Sequence, residues 1–141
     1  MNKLNSTIIL SVFLSVLLIT KLWAHGVPHS AKAFIITPKN NERVSSPVTI
    51  KFGIKDFLIA PAGVNKHKAG HYHLLIDLQK PIDLDKPIPR DKHHLHFDQG
   101  ETEATIKLAP GKHTLQLIVA DEEHEPFEQL ISKPINIDVS Q

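Results

Sequence analysis

The stretch "VTIKFGIK", residues 48–55, sets the strongest limit on what this chain can become. Val48, Ile50, Phe52 and Ile54 fall at every second position, with Thr49, Lys51 and Lys55 between them. Successive side chains of an extended strand point to opposite faces, so this order describes a half-buried antiparallel strand. "PINIDV" (134–139) repeats it, with Ile135, Ile137 and Val139 inward and Asn136 and Asp138 outward. "ATIKL" (104–108) alternates as well, and "HTLQLIV" (113–119) puts His113, Leu115, Leu117 and Val119 on one face. "AFIIT" (33–37) supplies a first strand before Pro38. The turn signals "PKNNE", "SSP", "DQGE", "APGK" and "DEEHEP" punctuate these runs, and no helical periodicity of useful length intervenes.

Six or seven short strands in about a hundred residues predict an all-β fold. The expected architecture is an immunoglobulin-like two-sheet sandwich of about seven antiparallel strands with Greek-key connections. Two stretches stand apart. Residues 79–92, "QKPIDLDKPIPRDK", hold three prolines and alternating charge and read as an extended surface loop. Residues 56–69 form a second long connection, whose apolar start (Phe57, Leu58, Ile59) should tuck under one end of the sandwich.

The first 24 residues carry a different message. "MNK" is a short basic start, "LNSTIILSVFLSVLLIT" an apolar run, and "KLWA" ends on the small residue Ala24. That order is the secretory signal pattern, too short and poorly flanked for a membrane span. Cleavage after Ala24 leaves 117 residues: an N-terminal segment, 25–32, and one domain, 33–139. The expected location is the periplasm or the extracellular medium, with no membrane span once the signal is gone. Lys3 and Lys21 leave with the signal, so 14 basic residues face 15 acidic ones. Such a balance offers no positive field for nucleic acid or an anionic membrane. The chain has no cysteine, which excludes disulfides, thiolate metal sites and thiol catalysis. It has ten histidines instead, all after Ala24.

"GHYHLLIDL" (70–78) shows where that histidine matters. Tyr72, Leu74, Ile76 and Leu78 form the more apolar face and should take the core. His71 and His73 then share the opposite face with Leu75 and Asp77, near water or a shallow cleft. Their backbones stand about 6–7 Å apart, close enough for two imidazoles to converge on one ion. "HHLHFD" repeats the parity, with His94 and His96 on one face and Leu95 and Phe97 on the other. In an immunoglobulin-like sandwich the third and sixth strands run antiparallel in one sheet. The start of "HYHLLID" would then lie beside the loop "ADEEHEPFE". The candidate site is therefore His71, His73 and His124, with Asp121 as a possible carboxylate ligand. His94 and His96 join it if their strand runs beside strand 70–78. His25 would be the new N-terminus after cleavage, where its amino group and ring could chelate copper together. His113 follows the "PG" turn on the core parity of its strand and reads as structural. Asp121 can alternatively cap the turn, and His29 and His67 have no pattern behind them.

"SPVTIKFGI", "APAGV", "GHYHLLID", "HLHFDQGETEATIKLAPGKHTLQL" and the Ala120-Asp121 pair followed by His124 and Pro126 have a counterpart. Over roughly residues 33–139 the chain resembles a family of small exported bacterial domains, domain of unknown function 4399. Members typically read Gly-His-His-His-Leu-Leu-Ile-Asp at the first motif and Pro-Gly-Lys-His-Thr-Leu-Gln-Leu at the last. The chain departs at Tyr72 and Phe127, where the family usually has histidines, and both departures should lower the ligand count. The resemblance implies an immunoglobulin-like sandwich and export, and supplies no activity.

The leading functional expectation is an exported module that binds a divalent transition metal, copper or zinc, for carriage, buffering or sequestration, handing it on where a periplasmic protein partner exists. Nitrogen and oxygen donors without thiolate favour copper(II) among divalent ions. A second reading is a non-catalytic adhesion or scaffold domain that meets a protein partner, since the fold alone does not fix function. A metalloenzyme ranks below both: "GHYH" and "APGKH" have some likeness to cupin motifs, but "LLIDL" lacks the glutamate that pattern wants. No nucleophile motif or phosphate-binding glycine loop is present.

Overall fold

The computed structural model describes residues 26–140. It contains β1 (Lys32–Thr37), β2 (Glu42–Ser45), β3 (Val48–Lys55), β4 (Leu58–Ile59) and β5 (Ala69–Ile76). These are followed by β6 (His94–Phe97), β7 (Glu103–Ile106), β8 (Gly111–Ala120), β9 (Pro126–Ile131) and β10 (Ile135–Ser140). The fold is all-β with two sheets. One is the three-stranded sheet β1-β3-β7; the other runs β2-β10-β8-β5-β4, with β6 also paired to β5 and β9 to β8. The expected set of about seven antiparallel strands is thus exceeded, and it is not purely antiparallel: β2 runs parallel to β10 and β4 parallel to β5. Among the described residues, no helix is long and apolar enough to cross a membrane. The proposed signal segment and His25 lie outside the described residues.

The alternation read from the sequence builds the core between the sheets. Val48, Ile50 and Phe52 of β3 face Tyr72, Leu74 and Ile76 of β5 and Leu115, Leu117 and Val119 of β8. Phe52 touches both Tyr72 and Phe97, with ring centroids 5.2 and 4.8 Å away, so one aromatic side chain ties the two sheets together. Apolar burial of this kind contributes roughly 25 cal/mol per Å² and carries the fold in the absence of disulfides.

β9 and β10 both lie along the edge of β8 opposite β5, because Ile118 pairs with Ile131 and His73 while Leu115 pairs with Ile135 and Ile76. Together they form one long strand broken at 132–134. Ser132 repairs the break: its amide donates to the Leu117 carbonyl at 2.8 Å, and its Oγ accepts from the Leu117 amide at 2.9 Å. A buried peptide group that the missing ladder would have orphaned is thereby satisfied.

The outer face of the larger sheet is where the structure departs most from the sequence reading. Residues 79–92 are irregular, as expected, but they lie over this face as a strap. Ile88 and, less deeply, Leu78 and Ile82 pack on Leu75, Ile118 and Ala120 in a second small core. All eight residues of β5 are consequently buried, and His71 and His73 are 0 % exposed. The expectation that these two rings face water or a shallow cleft is overturned, because the strap and the β8–β9 turn close over their face.

Candidate metal centre

β5 and β8 pair antiparallel as expected, with His71 opposite Ala120, so the start of β5 meets the turn 121–125. β6 adds to the other side of β5 in a register that sets His73 directly opposite His96. The condition for His96 to join is met. The turn 121–125 is tightly built. Asp121 Oδ1 accepts from the amides of Glu123 and Glu125, both at 2.9 Å, and the Asp121 amide donates to the Glu125 carbonyl at 3.0 Å. His124 sits in the left-handed region at φ 68°, which histidine tolerates better than most residues. Its carbonyl accepts from the Ile88 amide of the strap at 2.9 Å.

Four imidazoles meet under the strap. Ring centroids are 4.6 Å apart for His71 and His73, 4.7 Å for His71 and His124, 4.2 Å for His73 and His96, and 5.0 Å for His96 and His124. The group at their centre is one the sequence reading overlooked, Asp98. Its Oδ1 lies 3.5 Å from His124 Nε2, 3.8 Å from His71 Nε2 and 3.9 Å from His96 Nδ1. His71 Nε2 and His73 Nε2 are 2.9 Å apart and can share a single proton. His71, Asp98 and His124 each offer a ligand atom within 4.8 Å of the others, a group able to hold a metal ion. A signal for Asp98 was present in "HLHFD": it follows His94 and His96 at the same spacing of two.

The protons of this cluster do not match its lone pairs. His96 Nε2–H donates to the Pro89 carbonyl at 2.7 Å, so in the neutral ring Nδ1 carries a lone pair. That lone pair faces Asp98 Oδ1, another acceptor. His71 Nδ1, His73 Nδ1, His96 Nδ1, His124 Nε2 and Asp98 Oδ1 are all buried without a hydrogen-bond partner. Native proteins rarely leave such atoms unpaired, at about 1–3 kcal/mol each. A cation between His96 Nδ1, His124 Nε2 and Asp98 Oδ1 would resolve the mismatch around the carboxylate. Donors held at about 2.0–2.2 Å from one ion are separated from each other by about 3–4 Å, the spacing seen around Asp98.

The electrostatics prepare the same chemistry. Burial, reinforced by His124, lowers the His71 pKa to about 4 despite the opposing pull of Asp98. Burial together with His96 and His71 lowers that of His73 to about 2. Burial also lowers His96, against the pull of the Pro89 carbonyl. For Asp98 burial acts upward, but hydrogen bonding from Arg90 and the Arg90 charge prevail and hold the carboxyl below its ordinary range. Neutral imidazoles beside an ionised carboxylate are the states in which these groups ligate metals.

The remaining candidates have other partners. Asp121 spends Oδ1 on the turn and stands outside the group around Asp98. His94 lies on the same face, opposite Leu75, but its Nδ1 bonds Asp91 Oδ1 at 2.8 Å. His113 is structural as expected: Nδ1 bonds Asp77 Oδ2 at 2.7 Å and Nε2 the Ala109 carbonyl at 2.8 Å. Tyr72 corrects an expectation about the ligand count, because its ring is buried in the core between the sheets, so a histidine there would not face the cluster. Phe127 packs edge-on against Phe57 at 5.2 Å.

No curated protein and no solved structure matches the chain. A family model does match, over residues 50–140, a stretch that contains every member of the cluster. The chain belongs to the family described as domain of unknown function (DUF4399).

Proposed function

We propose that this domain binds a transition-metal ion, copper or zinc, through His71, Asp98 and His124, with His73 and His96 as further donors, and that it carries, buffers or sequesters the ion rather than transforming a substrate. The observation that carries this reading is the convergence on Asp98 Oδ1 of His96 Nδ1 and His124 Nε2, both buried and partnerless, together with His71 Nε2. Imidazole and carboxylate donors without thiolate suit either metal. The signal-like first 24 residues support placing the protein in the periplasm or outside the cell. The two sheets, with β3 and β7 in one and β5, β8 and β10 in the other, support an immunoglobulin-like sandwich elaborated by the strap and the split β9–β10 strand.

Calorimetric titration with copper(II), zinc(II) and, under anaerobic conditions, copper(I) tests the reading. Sub-micromolar binding of about one ion per chain is expected, lost in Asp98→Asn/His124→Ala and in His71→Ala/His73→Ala but retained in His94→Ala. Binding by wild type no tighter than by a scrambled histidine-rich peptide overturns it.

A further inference from the structure

Asp98 divides its carboxylate between two neighbours. Oδ1 faces the imidazoles, whereas Oδ2 is hydrogen-bonded by Nη2 of Arg90. Arg90 follows Pro89, whose carbonyl fixes His96, so consecutive residues of the strap anchor one donor ring and deliver a positive charge beside the carboxylate of the cluster. The guanidinium stem is largely exposed, 60 % of the side chain, so packing alone does not hold it there. Of the other charges nearby, Asp121 accepts from the amides of its own turn but keeps its negative charge, which reaches His71, and Glu123 and Glu125 are exposed to solvent.

Counting the imidazoles as neutral ligands, Asp98 and Arg90 cancel and Asp121, acting on His71, leaves the centre with a formal charge of −1. A divalent ion takes that to +1, whereas a monovalent ion takes it to zero. The cost of holding charge in a poorly solvated site rises with the square of the charge, so the difference between the two is steep. Arg90 also withdraws electron density from the one hard donor, the oxygen a divalent ion would use most. Copper(I) is monovalent and is satisfied by imidazole donors without a carboxylate.

Resting on the metal-binding reading above, we infer that Arg90 determines the specificity of the site, biasing it towards copper(I) over copper(II) and zinc(II). The guanidinium acts through Asp98 and through its own charge, and it does not touch the ion.

Anaerobic competition titrations against chelators of known affinity give dissociation constants for copper(I), copper(II) and zinc(II). They are run on protein expressed from the full chain and on Arg90→Gln and Arg90→Lys, with the copper reduction potential measured at an electrode, which supplies the electron. In Arg90→Gln the affinities for copper(II) and zinc(II) should rise at least about tenfold relative to copper(I). The copper couple should fall correspondingly by about 59 mV per decade. Arg90→Lys keeps the charge and should keep the wild-type ratio, which separates electrostatics from a change in folding. Metal binding with unchanged ratios and potential in Arg90→Gln overturns this inference and leaves the metal site standing. Failure of wild type to bind any of the three ions overturns both.

Discussion

Replacing His71 and His73 together by leucine should stabilise the metal-free protein while abolishing metal uptake. In wild type both rings are 0 % exposed, their Nδ1 atoms have no partner, and their only mutual compensation is one Nε2···Nε2 contact of 2.9 Å. Two buried unpaired polar atoms cost about 2–6 kcal/mol together. Leucine removes both, along with one hydrogen bond of about 1 kcal/mol. The change of shape at two packed positions costs up to about 1.5 kcal/mol each. The balance favours the double variant by about 2 kcal/mol, or roughly 1 M in urea midpoint for a domain of this size. Single replacements should not show this gain, because each orphans the Nε2 of the remaining ring. Urea denaturation in EDTA, followed by circular dichroism, reads the effect directly. Adding metal at a hundred times its dissociation constant should then raise wild type by about 2.7 kcal/mol and leave the double variant where it was, closing or reversing the gap. A double variant that is less stable than wild type in EDTA by more than about 1 kcal/mol would refute the idea that these rings are held at a cost for an ion.

Acid should destabilise the metal-free protein through the same rings. Their folded pKa values lie below the unfolded value near 6.5, so the unfolded chain binds protons first and stability falls as pH drops from 6.5 towards 4. His71 alone accounts for about 3 kcal/mol over that interval, checked by denaturation at stepped pH with the leucine double variant, which lacks both rings and should fall less steeply, as the control. His113 behaves oppositely. Burial disfavours its charged form, but the Asp77 carboxylate and the Ala109 carbonyl outweigh that and raise its pKa. Its contribution is therefore complete below about pH 6.5 and disappears as pH rises through the folded value, so Asp77→Asn should cost about 2 kcal/mol at pH 5.5 and less at pH 9. Gly70→Ala should cost about 2–3 kcal/mol, because the new Cβ would meet the Ala120 carbonyl oxygen at 2.3 Å and Val119 Cγ1 at 2.8 Å, prising β5 from β8 beside His71. A loss below 0.5 kcal/mol would mean that the two strands part without strain.

What the sequence disclosed follows from which forces act locally. β3 was legible to the residue, and β1, β5, β7, β8 and β10 to within a residue or two, because a strand half-buried against one core imposes period-two alternation on its own letters. β2, "ERVS", carries no such pattern: it is a mostly exposed edge strand held by parallel pairing to β10. β9 escaped because its proline and glutamates read as part of an acidic loop. The antiparallel pairing of β5 with β8 was inferred from topology, and it placed His124 beside His71. Burial of the second face of β5 was not legible, since it depends on the strap returning across the sheet, and nothing in "QKPIDLDKPIPRDK" states where that segment lands. Arg90 was hidden for the same reason, whereas Asp98 shared the parity of His96 and was open to view.

The burial of β5 on both faces bears on how an ion comes and goes. Backbone amides of a strand flanked on both edges and covered on both sides exchange with solvent only when the whole domain unfolds. Two of the donor rings are thus mounted on the part of the molecule that moves least. His124 and Arg90 belong instead to a turn and a strap, segments that can open locally without unfolding the domain. On the metal-binding reading proposed above, ion residence time should follow excursions of the turn and the strap, while the geometry held by β5 persists between occupants.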